Sequence, residues 1–313
     1  MDEVLASGRT TSEHWMDRLG EHFSLHRIGA DADPSLVLSR AGPTVRALAS
    51  GGGFRIDEAI LARLPKLGII VVTGAGFDHV DMAAVRARGI GLCNARGATD
   101  ACVADMAMGL YLAVCREIVE NDRFLRSGAW LSRRPRLARR ASGRTAGIWG
   151  LGGIGRAIAA RAVGFSMPVH YCTRRPRPDV PYRHHAHLAD LAAAVDVLFC
   201  AVPATPETTG AVDATVLERL GPSGILVNVG RGRVVNQPQL VEALRSKTIA
   251  GAGLDVFPDE PCAPAELAAL KNVVLTPHVA GSTHETWDDV VATLCANIDL
   301  FLREGRYLTP VPA

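Results

Sequence analysis

Short apolar runs recur along the chain, and most of them give way to glycine or to polar residues. The runs occupy residues 67–73, 89–94, 146–149, 168–173, 195–202, 224–229, 252–256 and 273–276. Runs of this length and composition are typical of strands that a parallel sheet buries on both faces. Segments with helical spacing lie at residues 56–64, 156–165 and 286–303. The alternation predicts an α/β fold built on doubly wound parallel sheets.

Three further apolar segments complete the predicted order of elements. Residues 36–38 and 44–48 are short apolar runs that suggest two more strands. Residues 101–115 are almost all apolar and predict a long helix that is buried on most of its sides. Such a helix suits a crossing element between two domains or a subunit interface.

A glycine pattern follows the apolar run that ends at Trp149. Gly150, Gly152 and Gly155 are spaced Gly-x-Gly-x-x-Gly where the predicted strand turns into a helix. The first glycine would permit the turn, the second would let a pyrophosphate approach the backbone, and the third would let helix and strand pack closely. In a chain with 31 glycines, an ordinary strand-to-helix turn gives the same triplet. The second strand at residues 168–173 completes the start of a βαβ unit and favours the nucleotide.

Length and charge narrow the class of protein. At 313 residues and 48% hydrophobic composition, the chain can bury a large core, and we expect two domains. A formal net charge of +2 gives no general attraction to nucleic acid or to an anionic membrane. We find neither a signal peptide nor a spanning helix. We therefore expect a soluble, cytoplasmic protein that binds neither nucleic acid nor membrane.

Clustered arginines and histidines allow a functional and a structural interpretation. The arginines of residues 133–144 invite a nucleic-acid patch, but aromatic residues do not alternate with them, which favours a solvated surface. His184, His185 and His187 invite a metal site, but no cysteine or carboxylate stands at ligand spacing. We expect a surface loop there and no metal.

Three polar residues stand shortly after the last three apolar runs: Arg231, Glu260 and His278. Carboxyl ends of parallel strands meet at one edge of a sheet, so we expect the three to converge on the side where the glycine loop places a cofactor. Arginine can hold a carboxylate and polarise a carbonyl group. A histidine paired with a carboxylate is suited to proton transfer near neutral pH. Each residue alone has an ordinary explanation as a cap or loop residue, but together they indicate catalysis.

The ordered set of motifs resembles the D-isomer-specific 2-hydroxyacid dehydrogenases over nearly the whole chain. The matching segments are residues 74–81, 150–155, 203–208, 228–232, 253–257, 260–261 and 276–278. Within the family, residues 44–47, 64–67 and 128–130 are most similar to the glyoxylate, hydroxypyruvate and hydroxyphenylpyruvate reductases. The resemblance implies two Rossmann-like domains with the active site in the cleft between them. Residues 1–95 with 287–313 would form the substrate-binding domain, and residues 96–286 the dinucleotide-binding domain.

The resemblance also implies roles for single residues in the reduction of a small 2-oxo acid to the D-2-hydroxy acid. Arg231 would bind the 2-oxo acid, and the backbone amides of Ala75 and Gly76 would help to hold its carboxylate. An ordinary helix N-cap turn would give the same loop at residues 74–76. His278 would give its proton to the keto oxygen as hydride arrives, and Glu260 would hold His278 in place and favour its charged form.

Cofactor contacts and a partner subunit follow from the same resemblance. The implied cofactor-binding residues are Gly150, Gly152, Gly153, Ile154, Gly155, Val202, Pro203, Thr208 and Asp255, with Asp255 near the nicotinamide. The family is dimeric through its cofactor domain, which implies a homodimer. Trp130 matches a position that can reach toward the active site of the partner.

The residues at the end of the predicted strand 168–173, the second strand of the βαβ unit, indicate which cofactor the chain binds. An NAD-binding fold carries Asp or Glu there for the ribose 2′-hydroxyl, whereas this chain has Thr173, Arg174 and Arg175. Two charge-assisted contacts to a 2′-phosphate would favour NADP over NAD by roughly a hundredfold. We therefore predict NADPH. If both arginines are only solvated, the missing acid would leave weak selectivity instead.

Two other functions remain open at this point. A 2-ketogluconate reductase or another sugar-acid reductase uses the same scaffold. A corepressor that binds a dinucleotide resembles the chain in its core, but such proteins are linked to NADH and carry an acid where this chain has arginine. We therefore favour the reductase.

Overall fold

The computed structural model describes residues 1–8, 14–29 and 33–311. The chain divides into two compact units. The split unit consists of Met1–Thr99 with Ser282–Ala313, and the central unit of Asp100–Gly281. Among the described residues, no helix combines the length and the apolar character needed to cross a bilayer. The cytoplasmic location stays a prediction.

Strands and helices alternate along the chain. The strands are β1 (Glu3–Ser7), β2 (Ser24–Ile28), β3 (Ala47–Ser50), β4 (Ile69–Val72), β5 (Gly91–Asn94), β6 (Ala146–Trp149), β7 (Val169–Cys172), β8 (Arg183–His185), β9 (Val197–Cys200), β10 (Ile225–Asn228), β11 (Gly251–Leu254) and β12 (Val273–Leu275). The helices are α1 (His14–Gly20), α2 (Pro34–Ala41), α3 (Glu58–Leu61), α4 (Met82–Ala87), α5 (Asp100–Cys115), α6 (Ile118–Arg126), α7 (Gly153–Gly164), α8 (Leu188–Ala193), α9 (Ala214–Leu220), α10 (Gln237–Arg245), α11 (Ala265–Ala268) and α12 (His284–Glu304). Short 3-10 turns occupy Ala129–Leu131 and Gly232–Val234.

A parallel five-stranded sheet in the order β2-β1-β3-β4-β5 forms the centre of the split unit. Side chains alternate between its faces, so that Leu5 and Ile70 pack with α2, α3 and α4, whereas Val4 and Val71 pack with α1 and α12. Both faces are therefore covered, as the β-branched runs predicted. The chain after α12 returns to the open edge, where the Val311 N–H donates to the Leu92 carbonyl at 2.8 Å.

The predictions for the first half of the split unit were partly wrong. Residues 36–38 lie in α2 rather than in a strand, because Asp33 accepts the Ser35 N–H at 2.8 Å and Pro34 occupies the first turn. An apolar run of three residues cannot distinguish the two structures. Only the end of residues 44–48 lies in β3, and β1, α1 and β2 were not predicted.

A parallel seven-stranded sheet in the order β12-β11-β10-β9-β6-β7-β8 forms the centre of the central unit. The chain runs outward from β6 through β7 to β8 and then returns to place β9 on the other side of β6. The strand order thus reverses between β6 and β9. In open α/β sheets, ligands bind outside the carboxyl ends of the strands at such a switch point.

The predicted apolar helix is confirmed as α5. It packs closely on β11, where a Cβ atom built on Gly253 would lie 2.8 Å from Cβ of Leu110. Its exposed positions, Ala101, Asp105 and Gly109, recur at every fourth residue and form one narrow stripe. The rest of the helix is at least partly buried, as its composition indicated.

The predictions for the arginine-rich segment and for the histidine-rich segment had different outcomes. The loop at residues 132–140 is exposed at nearly every position, as expected for a solvated surface, whereas Arg144 is only 16% exposed and lies 3.3 Å from Asp196. The predicted histidine loop is wrong for His184 and His185, which lie in β8 at the edge of the sheet. Pairing with β7 stabilises this short strand despite its polar sequence.

Candidate functional site

The glycine loop follows β6 at the switch point of the central sheet. Gly150 has a φ of +95°, which a residue with a side chain rarely adopts. A Cβ atom there would lie 2.6 Å from Cγ1 of Val202 and 2.7 Å from the Ala201 carbonyl oxygen. The loop after β6 and the loop after β9 therefore touch, and only glycine fits between them.

The other two glycines of the triplet differ in their surroundings: Gly155 is closely packed, whereas Gly152 borders open space. A Cβ atom on Gly155 would lie 2.0 Å from the Gly150 carbonyl oxygen, so α7 packs tightly against the turn. A Cβ atom on Gly152, the N-cap of α7, would meet no heavy atom of the described residues within 4 Å. The first N–H groups of a helix lack partners within the helix. The amides of Gly153 and Ile154, in the first turn of α7 beside Gly152, are therefore candidates for binding a pyrophosphate.

The arginine turn after β7 is held by side chains of the sheet edge. The hydroxyl of Tyr171 accepts the Arg177 N–H at 2.7 Å, and Nε2 of His184 lies 3.0 Å from the Thr173 carbonyl oxygen. The Thr173 hydroxyl donates to the Arg175 carbonyl at 2.7 Å. Arg174 and Arg175 are exposed on this turn, where their side chains are accessible to a ligand phosphate. The supporting roles of Tyr171 and His184 were not predicted from the sequence.

The loop after β9 is ordered by a threonine hydroxyl. Thr208 Oγ1 donates to the Pro203 carbonyl at 2.7 Å and accepts the Thr205 N–H at the same distance. Val202 and Pro203 thus lie in a loop whose path is set by its own hydrogen bonds and by contact with Gly150. The predicted cofactor-binding residues from both loops are neighbours at the switch point.

Arg231 begins a tight turn after β10. The Asn228 side chain fixes this turn, because its Nδ2 donates to the Arg231 carbonyl at 3.0 Å and its Oδ1 accepts the Gly230 N–H at 3.1 Å. A Cβ atom on Gly232 would lie 1.8 Å from the Phe257 carbonyl carbon. The chain after β11, which leads to Glu260, therefore packs directly on the residue that follows Arg231.

Asp255 anchors the loop that carries His278. The carboxylate is fully buried; Oδ1 accepts the Thr276 hydroxyl at 2.6 Å and the Val279 N–H at 3.0 Å, and Oδ2 accepts the Ala280 N–H at 3.0 Å. Burial raises the pKa of Asp255 above its ordinary value, although these hydrogen bonds oppose the rise. The structure shows the carboxylate bonded to the loop that carries His278. The place near the nicotinamide that the family resemblance implies for Asp255 stays a prediction.

The catalytic candidates Glu260 and His278 are in direct contact. Oε2 of Glu260 lies 2.5 Å from Nδ1 of His278, and Oε1 accepts the Phe257 N–H at 2.7 Å. The backbone of His278 has a φ of +53°, an uncommon conformation for a side-chain-bearing residue. Its N–H donates to the Asp255 carbonyl at 2.8 Å, and the imidazole remains 51% exposed. Nε2 of His278 is therefore the ring nitrogen that is left to face a ligand.

The electrostatics of the pair favour a charged imidazole. The hydrogen bond to Glu260 raises the pKa of His278 above its ordinary value, although partial burial opposes the rise, and the charges of Glu260 and Asp255 act in the same direction as the hydrogen bond. Burial pushes the pKa of Glu260 upward, but the hydrogen bonds from His278 and the Phe257 N–H leave it below its ordinary value. The positive charge of Arg231 lowers both pKa values. An imidazole, a carboxylate and a guanidinium group thus act on one another.

The two remaining predicted residues, Ala75 and Gly76, lie in the split unit in the loop after β4. Both are half-buried, and the Ala75 carbonyl accepts a hydrogen bond from Nδ2 of Asn94 at 3.0 Å. The loop thus stands at the carboxyl edge of its sheet, where ligands of such folds bind.

Comparison with known proteins places this arrangement in a family. The family model described as "D-isomer specific 2-hydroxyacid dehydrogenase, NAD binding domain" matches residues 108–280. A glyoxylate/hydroxypyruvate reductase A of Arabidopsis thaliana is 37% identical over 300 residues, which cover 96% of each chain. A 2-ketogluconate reductase of Gluconobacter oxydans is 37% identical over 295 residues, which cover 94% of each chain.

Solved structures agree with the sequence relatives. The NADPH-dependent glyoxylate/hydroxypyruvate reductase of Sinorhizobium meliloti, in complex with NADP and malonate, superposes with a TM-score of 0.90 at 38% identity. The match covers 99% of this chain and 96% of that one. The chain belongs to the D-isomer-specific 2-hydroxyacid dehydrogenase family, a family of oxidoreductases. The predicted family and the predicted Rossmann-like α/β fold are therefore confirmed.

Proposed function

We propose that the protein reduces a small 2-oxo acid to the D-2-hydroxy acid with NADPH, and that His278 is the proton donor. The contact between Nδ1 of His278 and Oε2 of Glu260 carries this proposal. It directs Nε2 of His278 away from the carboxylate and raises the pKa of His278, which favours the charged imidazole. A charged imidazole is the form that can protonate a keto oxygen.

Each residue of the site has a separate task in this reaction. Arg231 binds the 2-oxo acid through its planar guanidinium group and polarises the carbonyl. The amides of Ala75 and Gly76 help to hold the carboxylate. His278 delivers a proton from Nε2 to the keto oxygen, and Glu260 stabilises the charged imidazole that precedes this step. The bound cofactor supplies the hydride.

The residues of the glycine loop and the arginine turn fit NADPH. Open space at Gly152 and the α7 amides suit the pyrophosphate, and the exposed Arg174 and Arg175 with Thr173 suit the 2′-phosphate. We propose that Val202, Pro203 and Thr208 line the remainder of the cofactor site, with Asp255 supporting its nicotinamide end. The named cofactor of the Sinorhizobium meliloti reductase supports this assignment.

A sugar-acid reductase is a second candidate. The identity to the Gluconobacter oxydans 2-ketogluconate reductase equals the identity to the plant glyoxylate/hydroxypyruvate reductase. Both substrates are 2-oxo acids, so Arg231 and His278 would act in the same way on either. The difference would lie in how much space is available for the rest of the substrate.

A substrate panel tests the proposal. Glyoxylate, hydroxypyruvate, hydroxyphenylpyruvate and 2-ketogluconate would each be offered with NADPH and with NADH, and loss of nicotinamide absorbance would be followed. We expect turnover with at least one 2-oxo acid and a preference for NADPH. Turnover with none would favour a dinucleotide-binding protein without this activity.

The proton donor is tested by His278→Asn. General acid catalysis contributes about 10²- to 10⁴-fold to rates, so kcat should fall by that order. His284→Asn, at the start of α12, is a matched control that should retain activity. A near wild-type rate for His278→Asn would show that another group gives the proton.

We also propose a homodimer formed through the central unit. Apolar side chains near α6 are exposed to an unusual degree, with Leu131 at 96% and Leu137 at 99%. Ile118, Leu125 and Trp130 are also more than half exposed. Exposed patches of apolar side chains are typical of protein interfaces, and we propose that these five side chains belong to one. A second copy of the chain would cover them and bring Trp130 against the partner subunit.

A further inference from the structure

The strand β5 ends at a buried asparagine that reaches the proposed substrate loop. Asn94 is 7% exposed, and its backbone pairs in register with Val72 at the end of β4. Its Nδ2 donates to the Ala75 carbonyl at 3.0 Å. One side-chain amide thus determines the direction of one carbonyl in the loop after β4.

That carbonyl belongs to the same peptide group as the Gly76 amide. A trans peptide is planar, and its C=O and N–H bonds point in opposite directions. Because Asn94 holds the Ala75 carbonyl on one side, the Gly76 N–H is turned to the other side. Without this hydrogen bond, a loop with glycine at residues 74 and 76 could rotate the peptide.

The backbone of Asn94 is hydrogen-bonded to the chain that follows α12. Its carbonyl accepts the Thr309 hydroxyl at 2.8 Å, and its N–H donates to the Thr309 carbonyl at 3.3 Å. The fully buried Asn297 of α12 donates from Nδ2 to Thr309 Oγ1 at 3.0 Å. Its Oδ1 accepts the N–H groups of Leu308 and Thr309 at 3.1 and 3.0 Å. A continuous hydrogen-bonded path thus runs from α12 to the substrate loop.

We infer that Asn94 is a positioning residue: it fixes the Gly76 amide for the substrate carboxylate, and Thr309 and Asn297 hold it in place. The inference rests on the proposed function, because it assigns the Gly76 amide to that carboxylate. A hydrogen bond to a carboxylate that is present in both the ground state and the transition state changes KM more than kcat.

Asn94→Asp tests the inference with almost no change in size. The new carboxylate cannot donate and repels the Ala75 carbonyl, so the peptide should turn and the Gly76 amide should be lost to the substrate. We expect the KM for the 2-oxo acid to rise about tenfold or more, the effect of one charge-assisted hydrogen bond. The KM for NADPH should stay within about twofold of the wild-type value, because the proposed role of Asn94 involves no contact with the cofactor.

Asn272→Asp is the matched control. Nδ2 of Asn272 donates to the carbonyls of Leu244 and Ala250 at 3.2 and 3.3 Å, just before β11 and β12 begin. These contacts lie at the amino ends of the strands, whereas the proposed site residues of the central unit follow the carboxyl ends. A purely structural effect of replacing an asparagine donor would lower the unfolding temperature of either variant and leave both KM values unchanged. Thr309→Val removes the donor to the Asn94 carbonyl and should raise the substrate KM by a smaller factor.

The outcomes separate this inference from the proposed function. If the wild-type protein reduces no 2-oxo acid, the proposed function fails and this inference fails with it. If the wild type is active and folded Asn94→Asp keeps its substrate KM, only the inference is overturned. Should Asn94→Asp not fold, an unchanged substrate KM in Thr309→Val would overturn it equally.

Discussion

Nδ1 of His278 lies 2.5 Å from Oε2 of Glu260, and this contact favours the charged form of the imidazole. It raises the pKa of His278 above its ordinary value. In the proposed mechanism, reduction requires the protonated imidazole, so kcat/KM for reduction should fall as pH rises through this raised pKa. Oxidation of the hydroxy acid requires the neutral imidazole and should improve over the same interval.

Glu260→Gln should move this pH dependence. The variant loses the negative charge that stabilises the imidazolium, so the pKa of His278 should drop and the falling limb of the reduction profile should shift to lower pH. We also expect kcat at neutral pH to fall about tenfold or more, since less of the acid form is present. Profiles of kcat/KM against pH, with Glu266→Gln as an exposed control, measure the shift. An unmoved limb would mean that Glu260 does not control the proton donor.

Asp255→Asn should destabilise the loop that carries His278. The buried carboxylate accepts three hydrogen bonds at two oxygens, whereas the asparagine amide group has only one accepting oxygen. One N–H of the loop would face another N–H, which costs about 1–3 kcal/mol. Denaturant unfolding should show this loss, and kcat should fall because His278 is held less firmly. Full stability in the variant would contradict the anchoring role.

The sequence predicted the central unit better than the split unit, for a physical reason. The strands β6, β9 and β10 lie in apolar runs that are followed by glycine or proline. In these runs, the apolar pattern and the turn residues that end it both indicate a buried strand. The strand β2 has the sequence Ser-Leu-His-Arg-Ile, with one exposed arginine and a half-buried histidine, and lies at the sheet edge. A strand with such a mixed pattern is recognised only through the neighbour it pairs with.

In the candidate site, too, local sequence predicts some features and not those that depend on how distant segments pack. The spacing of the late strands predicted Arg231, Glu260 and His278 as one group, and the structure brings Glu260 and His278 into contact. Their catalytic roles stay predictions. The direction of the Asp255 carboxylate was not predictable, because it depends on where the chain returns after β12. Likewise, nothing local in the sequence links Asn94 to Ala75, since the strand pairing of β4 and β5 brings them together.

Replacing Arg174 and Arg175 by alanine should reduce the preference for NADPH. Both side chains are exposed on the turn after β7, where a 2′-phosphate would otherwise gain two charge-assisted hydrogen bonds. The ratio of kcat/KM with NADPH to that with NADH should drop by roughly a hundredfold. Arg219→Ala, exposed in the last turn of α9, is the control and should keep the ratio. An unchanged ratio in the double variant would leave the arginines without a role in cofactor choice.

Charges placed on the exposed apolar surface should separate the proposed dimer. Leu131→Glu with Leu137→Glu changes two side chains that are almost fully exposed, so the fold of each subunit should survive. Size-exclusion chromatography with light scattering should report a dimer for the wild type and a monomer for the double variant. Leu36→Glu, at an exposed leucine of α2, should remain dimeric. A monomeric wild type would contradict the proposed assembly.

Alanine at two glycines of the same motif should affect stability differently. At Gly155 the new Cβ would lie 2.0 Å from the Gly150 carbonyl oxygen, so Gly155→Ala must displace α7 from the turn and should cost about 1–3 kcal/mol of stability. At Gly152 the new Cβ would enter open space, and its φ of −80° suits alanine, so Gly152→Ala should unfold near the wild-type temperature.

The same Cβ at Gly152 would stand where we propose that the pyrophosphate approaches. Gly152→Ala should therefore weaken NADPH binding about tenfold or more, as measured by nicotinamide fluorescence, while the protein stays folded. This combination of normal stability and weak binding distinguishes a ligand-facing glycine from one required for packing. Normal NADPH affinity in Gly152→Ala would mean that the pyrophosphate lies elsewhere on the central unit.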